Sequence, residues 1–92
     1  MVVGRRYLIS GRVQGVGYRF FTRDAAAREG LRGFVRNLED GRVEAQAEGD
    51  QEGQNRFERA LHQGPPGARV EHVDVEDLVP IGRPPSFLID VT

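Results

Sequence analysis

The chain contains no cysteine and no lysine. The first absence rules out disulfides and thiolate metal sites. The second rules out lysine-dependent chemistry, including the Walker phosphate loop, whose lysine is obligatory. No apolar run is long enough to span a bilayer. Met1 to Arg6 reaches two arginines with no apolar signal segment behind them, so a cytoplasmic location is expected. An excess of one charge sign is also lacking: 13 basic residues face 14 acidic ones, for a net charge of -1. That balance argues against binding nucleic acid or an anionic membrane through bulk electrostatics. Every basic side chain is an arginine, so an arginine is informative only where its position singles it out.

What is present suits an ordinary globular protein, with 38% hydrophobic and 29% charged residues. A length of 92 residues predicts one domain spanning 1–92, with room for one sheet and two helices and none for a separate cofactor domain. From Val2 to Val13, Tyr7, Ile9 and Val13 fall at even steps with Ser10 and Arg12 between them, the period of a strand with one buried face. Gly11, Gly15 and Gly17 punctuate the turn that follows. Tyr18 to Glu29 favours helix, with Tyr18, Phe21 and Ala25 on one face and Gly30 as its stop. Leu31 to Leu38 reads as a second strand. Glu39-Asp40-Gly41 is a turn, and Arg42 to Glu48 alternates with Val43, Ala45 and Ala47 on one side, completing a hairpin. Glu44 and Glu48, out of phase with those residues, are expected to face solvent.

Asp50 is a candidate N-cap for a second helix carrying Phe57, Ala60 and Leu61 at i, i+3 and i+4. Gly53 weakens its first turn, and Gly64-Pro65-Pro66-Gly67 ends it. Ala68 to Glu76 is a strand in which Val70 is out of phase with Val73 and Val75, pointing to a bulge. A short last strand carries Phe87, Ile89 and Val91. The order predicts an α+β fold of the ferredoxin-like split βαβ type (βαββαβ) with a short extra C-terminal strand. Its sheet is expected to be antiparallel with both helices on one face. Such a fold hosts many functions and decides none.

Two stretches carry chemistry. Between the first strand and the first helix lies Gly11-Arg12-Val13-Gln14-Gly15-Val16-Gly17-Tyr18-Arg19. Its glycines let successive backbone N–H groups turn toward one point and form an anion nest. The helix beginning at Tyr18 aims its free N–H groups and positive dipole end at the same place. Arg19, in the first turn, adds a planar fork suited to phosphate oxygens. A dinucleotide fingerprint does not fit, because Phe20 stands where the third glycine belongs. A glycine-rich turn with no ligand is the plain alternative. In the second stretch Asn37 ends a strand beside the hairpin turn, where asparagine commonly satisfies turn backbone. Its amide, donor and acceptor at once, could instead fix a water for attack.

Taken with their flanks, Ile9 to Arg19 and Gly33 to Gly49 resemble the two signatures of the acylphosphatase family. The second agrees at Gly33, Phe34, Val35, Arg36, Asn37, Gly41, Val43 and Gly49. The first departs once, at Tyr18, where the family has phenylalanine or methionine. An added hydroxyl there bears on packing and leaves the chemistry alone. Gly64 to Val70 is similar to a later stretch of the family, so the resemblance covers nearly the whole chain.

The resemblance implies hydrolysis of acyl phosphates, carboxyl–phosphate mixed anhydrides, to carboxylate and inorganic phosphate. It implies phosphate binding by the backbone of Gln14, Gly15, Val16, Gly17 and Tyr18 with the Arg19 guanidinium, and a water positioned by Asn37. No cofactor and no metal are expected, and the partner is a small acyl phosphate met by a monomer. His62 and His72 lack partners at metal-ligand spacing. Two other readings stand beside this one. An RNA-recognition module shares the element order, and Arg32-Gly33-Phe34-Val35 matches part of its RNP1 signature, but on the second strand instead of the third. A binding domain of the same ancestry without turnover is the other; retention of both Arg19 and Asn37 favours the enzyme.

Overall fold

The computed structural model describes residues 1–91. Its elements run β1 (Val2–Arg12), α1 (Tyr18–Arg28), β2 (Arg32–Asn37), β3 (Val43–Asp50), α2 (Gln51–Gln63), β4 (Arg69–Leu78) and β5 (Phe87–Asp90). Five strands make one sheet in the order β4-β1-β3-β2-β5. The first four pair antiparallel, as expected. The last does not: β5 runs parallel to β2, with Val35 opposite Ile89, so the sheet is mixed. β4 ends opposite Gly4 at the end of the sheet where β1 and β2 begin, and β5 starts there opposite Gly33, so it enters beside β2 in the same direction.

The register sorts the side chains. Tyr7 lies opposite both Ala45 and Val75, and Val35 lies opposite Ala45. Tyr7, Ile9, Val43, Ala45, Ala47, Val35 and Phe87 therefore share one face, and they form a single buried cluster with Tyr18, Ala25, Ala26, Phe57 and Leu61 of the two helices. Phe57 sits between Tyr7 and Phe87, with ring centroids 5.3 and 5.9 Å away in edge-on contact. Gln54 lies one turn before Phe57 on the same face and is fully buried. It accepts from the Tyr7 hydroxyl at 2.7 Å and donates to the carbonyls of Ala47 (2.8 Å) and Val3 (3.1 Å). A buried amide so paired costs little.

Local signals explain the ends of the elements. Asp50 caps α2 by accepting from the Glu52 N–H at 3.1 Å. Gly53, a weak helix former, is buried where α2 meets the end of α1: a Cβ there would stand 3.3 Å from the Glu29 carbonyl. Gly33 has φ 152°, and a Cβ on it would fall 1.8 Å from the Gln46 carbonyl oxygen, so only glycine lets β2 approach β3 there. On β4 the pairing steps from Ser10–His72 to Gly11–Val70, leaving Glu71 as the bulged residue and accounting for the phase change at Val70.

The opposite face of the sheet corrects one expectation. Glu44 and Glu48 do point away from the helices, but they are 1% and 6% exposed. Glu44 is gripped by Arg6, Arg36 and Gln46. Glu48 accepts from the backbone N–H groups of Ile81 (2.7 Å), Gly82 (3.0 Å) and Arg83 (3.2 Å). The segment between β4 and β5 folds over Glu48, and Arg83 reaches on to Gln46 and over the Phe34 ring. Burial alone would raise the Glu48 pKa. The three N–H bonds and the Arg83 charge outweigh it and hold the carboxyl below its ordinary 4.5.

A depressed pKa in the folded state stabilises the protein above the ordinary carboxyl value and is lost as pH falls through the folded value. Thermal melts of the native chain are therefore expected to drop steeply once pH falls below 4.5. Glu48→Gln should lower the melting temperature at neutral pH and flatten the acid limb. Parallel acid limbs for the two proteins would contradict the role given to Glu48.

Candidate active site

β1 and β2 are both antiparallel to β3, so they run parallel to each other and end at the same edge of the sheet. The glycine loop leaves the end of β1 and Asn37 ends β2. Ile9 pairs with Val43, and Val43 pairs with Asn37. Asn37 is thus two strand spacings from Ile9, about 10 Å. It shares the core residue Val43's face, the one the helices cover. Two motifs 18 residues apart, counted from Arg19 to Asn37, meet through topology.

Within the loop, Val13 is buried and Val16 packs against the core, fastening the segment at two points. Between and beyond them Gly15 and Gly17 are exposed and left-handed, with φ 74° and 77°. A Cβ at either would meet nothing within 4 Å, so the requirement is conformational and not spatial. Alternating left-handed glycines turn the backbone N–H groups inward, which is the geometry of a nest. Gly17 is also the N-cap of α1 and brings no side-chain cap. The first-turn N–H groups of the helix are left for a ligand.

Arg19 is the second residue of α1 and is half-buried. Among the described residues it has no hydrogen-bond or carboxylate partner, a state it shares with Arg12, Arg28, Arg59 and Arg69, whereas Arg6, Arg36, Arg42, Arg56 and Arg83 are tied to acidic groups. What distinguishes Arg19 from those four is its place in the first turn of α1, directly after the glycine loop. Asn37 presents a second unmet group: its Oδ1 is buried and has no hydrogen-bond partner among the described residues. Buried acceptors left unpaired are rare and mark strain or function. The Gln14 side chain, expected only to lend its backbone, bridges the loop to the hairpin. It donates to the carbonyls of Leu38 (2.8 Å) and Arg42 (3.0 Å).

Tyr18 is buried, and its hydroxyl donates to the Leu61 carbonyl at 2.7 Å. Leu61 lies in the last turn of α2, where carbonyls lack helical partners, so the hydroxyl supplies a cap between the two helices. Burial pushes the Tyr18 pKa well up, which keeps it a neutral donor. His62 lies beside Glu58 on α2, and His72 beside Asp74 on β4. Among the described residues no group of three or more histidines or carboxylates could hold a metal ion. A cleft of about 320 Å³ opens between Val2, Arg32, Asp50 and Pro80. It lies at the starting end of β1, away from the nest, whose Gly15 and Gly17 are exposed.

A model of the family described as Acylphosphatase matches residues 5–89. The chain belongs to the acylphosphatase family. It is 48% identical over 88 residues to an acylphosphatase from Koribacter versatilis (strain Ellin345), covering 96% of this chain and 80% of that one. It is 47% identical over 87 residues to an acylphosphatase from Anaeromyxobacter dehalogenans (strain 2CP-C), covering 95% and 94%. Among solved structures, the acylphosphatase from Bacillus subtilis superposes with a TM-score of 0.93 at 35% identity, covering 99% of this chain and all of that one.

Against this background the Tyr18 departure from the acylphosphatase pattern is a local exchange of packing. Tyr18→Phe removes one buried hydrogen bond and leaves the Leu61 carbonyl unpaired, at a cost of about 1 to 2 kcal/mol. Denaturant unfolding should show that loss while kcat and KM stay at wild-type values. A large fall in kcat would place Tyr18 in the chemistry.

Proposed function

We propose that this acylphosphatase hydrolyses acyl phosphates through direct attack of water on phosphorus. In this reading the N–H groups of Gln14 to Tyr18 and the Arg19 guanidinium hold the phosphoryl oxygens. Asn37 orients the water through its unpartnered Oδ1, accepting one of the water's protons in a hydrogen bond. The observation that carries the proposal is the buried Asn37 Oδ1, which has no hydrogen-bond partner among the described residues, at the end of the sheet where β1 leads into the uncapped start of α1.

The bookkeeping is simple. The water oxygen bonds to phosphorus as the bond from phosphorus to the acyl oxygen breaks, and the electron pair departs with the carboxylate. A carboxylate leaves as a stable anion, its conjugate acid having a pKa of about 4 to 5, so no general acid is required. The water's proton goes to a phosphate oxygen. A loose transition state asks for little nucleophilic push, so positioning and charge stabilisation are sufficient. The exposed nest grips the phosphoryl group, and broad acceptance of small acyl phosphates is expected. The reading is completed by a monomer acting in the cytoplasm, with no nucleic acid or membrane as partner.

The RNA reading is disfavoured by the open face of the sheet. Buried Glu44 and Glu48 occupy its middle strand, and Arg83 covers Phe34. Stacking platforms for bases need exposed aromatics there.

The test is benzoyl phosphate hydrolysis with EDTA present. Wild type should turn over, with a pH–rate profile free of a protein titration near neutrality. Arg19→Ala should lose about a thousandfold or more in kcat/KM. Asn37→Ala should lose on the order of a hundredfold or more in kcat while inorganic phosphate still binds. A folded wild type with no turnover would leave a phosphate-binding relative as the better account.

A further inference from the structure

We propose that Gln14 is a positioning residue whose side-chain amide locks the phosphate nest to the strand end bearing Asn37. The inference rests on the roles proposed for the nest and for Asn37, and it assigns Gln14 a task separate from its backbone N–H.

The geometry is specific to an amide. Gln14 Nε2 carries two protons and spends them on two carbonyls, Leu38 at 2.8 Å and Arg42 at 3.0 Å. Those carbonyls face each other across the neck of the β2–β3 turn, which is itself closed by the Leu38 N–H donating to the Arg42 carbonyl at 2.8 Å. Leu38 directly follows Asn37, so a fork inserted at Leu38 fixes the backbone from which Asn37 projects. Gln14 is half-buried, which limits competition from solvent. No ladder hydrogen bond joins the loop to β2, because β3 lies between β1 and β2. The glutamine bridges a gap the sheet leaves open.

Its two ends carry different halves of the reaction. The nest holds phosphorus, and Asn37 holds the water. In-line attack depends on the distance and angle between them, and misplacement by about 1 Å can cost about a hundredfold in rate. The nest is also fastened by Val13 and Val16, independently of Gln14. Loss of the fork should therefore spare phosphate binding and disturb the water. Glutamate cannot replace it, since a carboxylate would meet two carbonyl oxygens without a proton to offer.

The experiment compares wild type, Gln14→Met, Asn37→Ala and the double variant. Methionine keeps the length and removes both donors. Readouts are kcat, inhibition by inorganic phosphate, and the side-chain amide resonance of Asn37 in the single Gln14 variant. We expect Gln14→Met to lower kcat by about tenfold to a hundredfold with phosphate inhibition close to wild type. The Asn37 amide signal should shift or broaden, and the variant should add little when Asn37 is already alanine. A parallel fall in phosphate affinity and kcat, full additivity with Asn37→Ala, or an unmoved Asn37 amide would overturn the proposal. Where Asn37→Ala is too slow for the cycle, the amide resonance decides alone. Wild-type turnover by Asn37→Ala would instead sink the role given to Asn37, an outcome distinct from failure of the Gln14 tie.

Discussion

The site depends on a topological constraint: two parallel strands must end at one edge of the sheet although a third strand separates them. β1 and β2 meet this condition because both pair antiparallel with β3. The loop after β1 and the last residue of β2 are then neighbours without being bonded to each other. α1 leaves the loop at the same edge, and in the proposed reading its positive end, the nest N–H groups and Arg19 serve one phosphate there. Side-chain contacts tie the surrounding elements together. Phe57, buried between Tyr7 and Phe87, fixes α2 on β1 and β5. The Tyr18 hydroxyl fixes the start of α1 to the end of α2. Gln14 then closes the remaining gap.

Charges are handled in opposite ways on the two sides of the molecule. On the open face, Glu44 and Glu48 are buried and fully served by arginines and backbone N–H groups. Burying a carboxylate is costly unless its oxygens are satisfied, and Glu48 is satisfied by the segment that joins β4 to β5. At the site edge the reverse holds. Among the described residues the Arg19 guanidinium and the Asn37 Oδ1 have no hydrogen-bond partner. Structure is stabilised where charge is paired, and the capacity to act resides where it is not.

Much of this was legible from residue patterns. Period-two spacing marked β1 and β3, Asp50 marked the start of α2, and the phase slip at Val70 marked the bulge that leaves Glu71 over. The shape of the loop was legible because left-handed turns need glycine, and Gly15 and Gly17 stand just before the start of α1. Burial of Glu44 and Glu48 was hidden, because alternation reports which face a residue takes and not whether a later segment covers that face. The clue was nonlocal: Arg36 lies directly opposite Glu44, and Arg6 lies diagonally across from it. The parallel direction of β5 was hidden for the same reason, since strand direction depends on a crossover with no periodicity. Gln14 and Gln54 were missed as side chains because an amide's partners are carbonyls, which every residue carries and no sequence distinguishes.

The central claim is that the nest and Asn37 form one anion site, and titration of the labelled protein with inorganic phosphate, followed by amide resonances, tests it most directly. The backbone signals of Gly15 to Arg19 and the side-chain amide of Asn37 should move together along one saturable curve, with the Ile81 to Arg83 amides unmoved. Shifts centred on those remote amides, or nest signals that saturate while the Asn37 amide stays still, would contradict it.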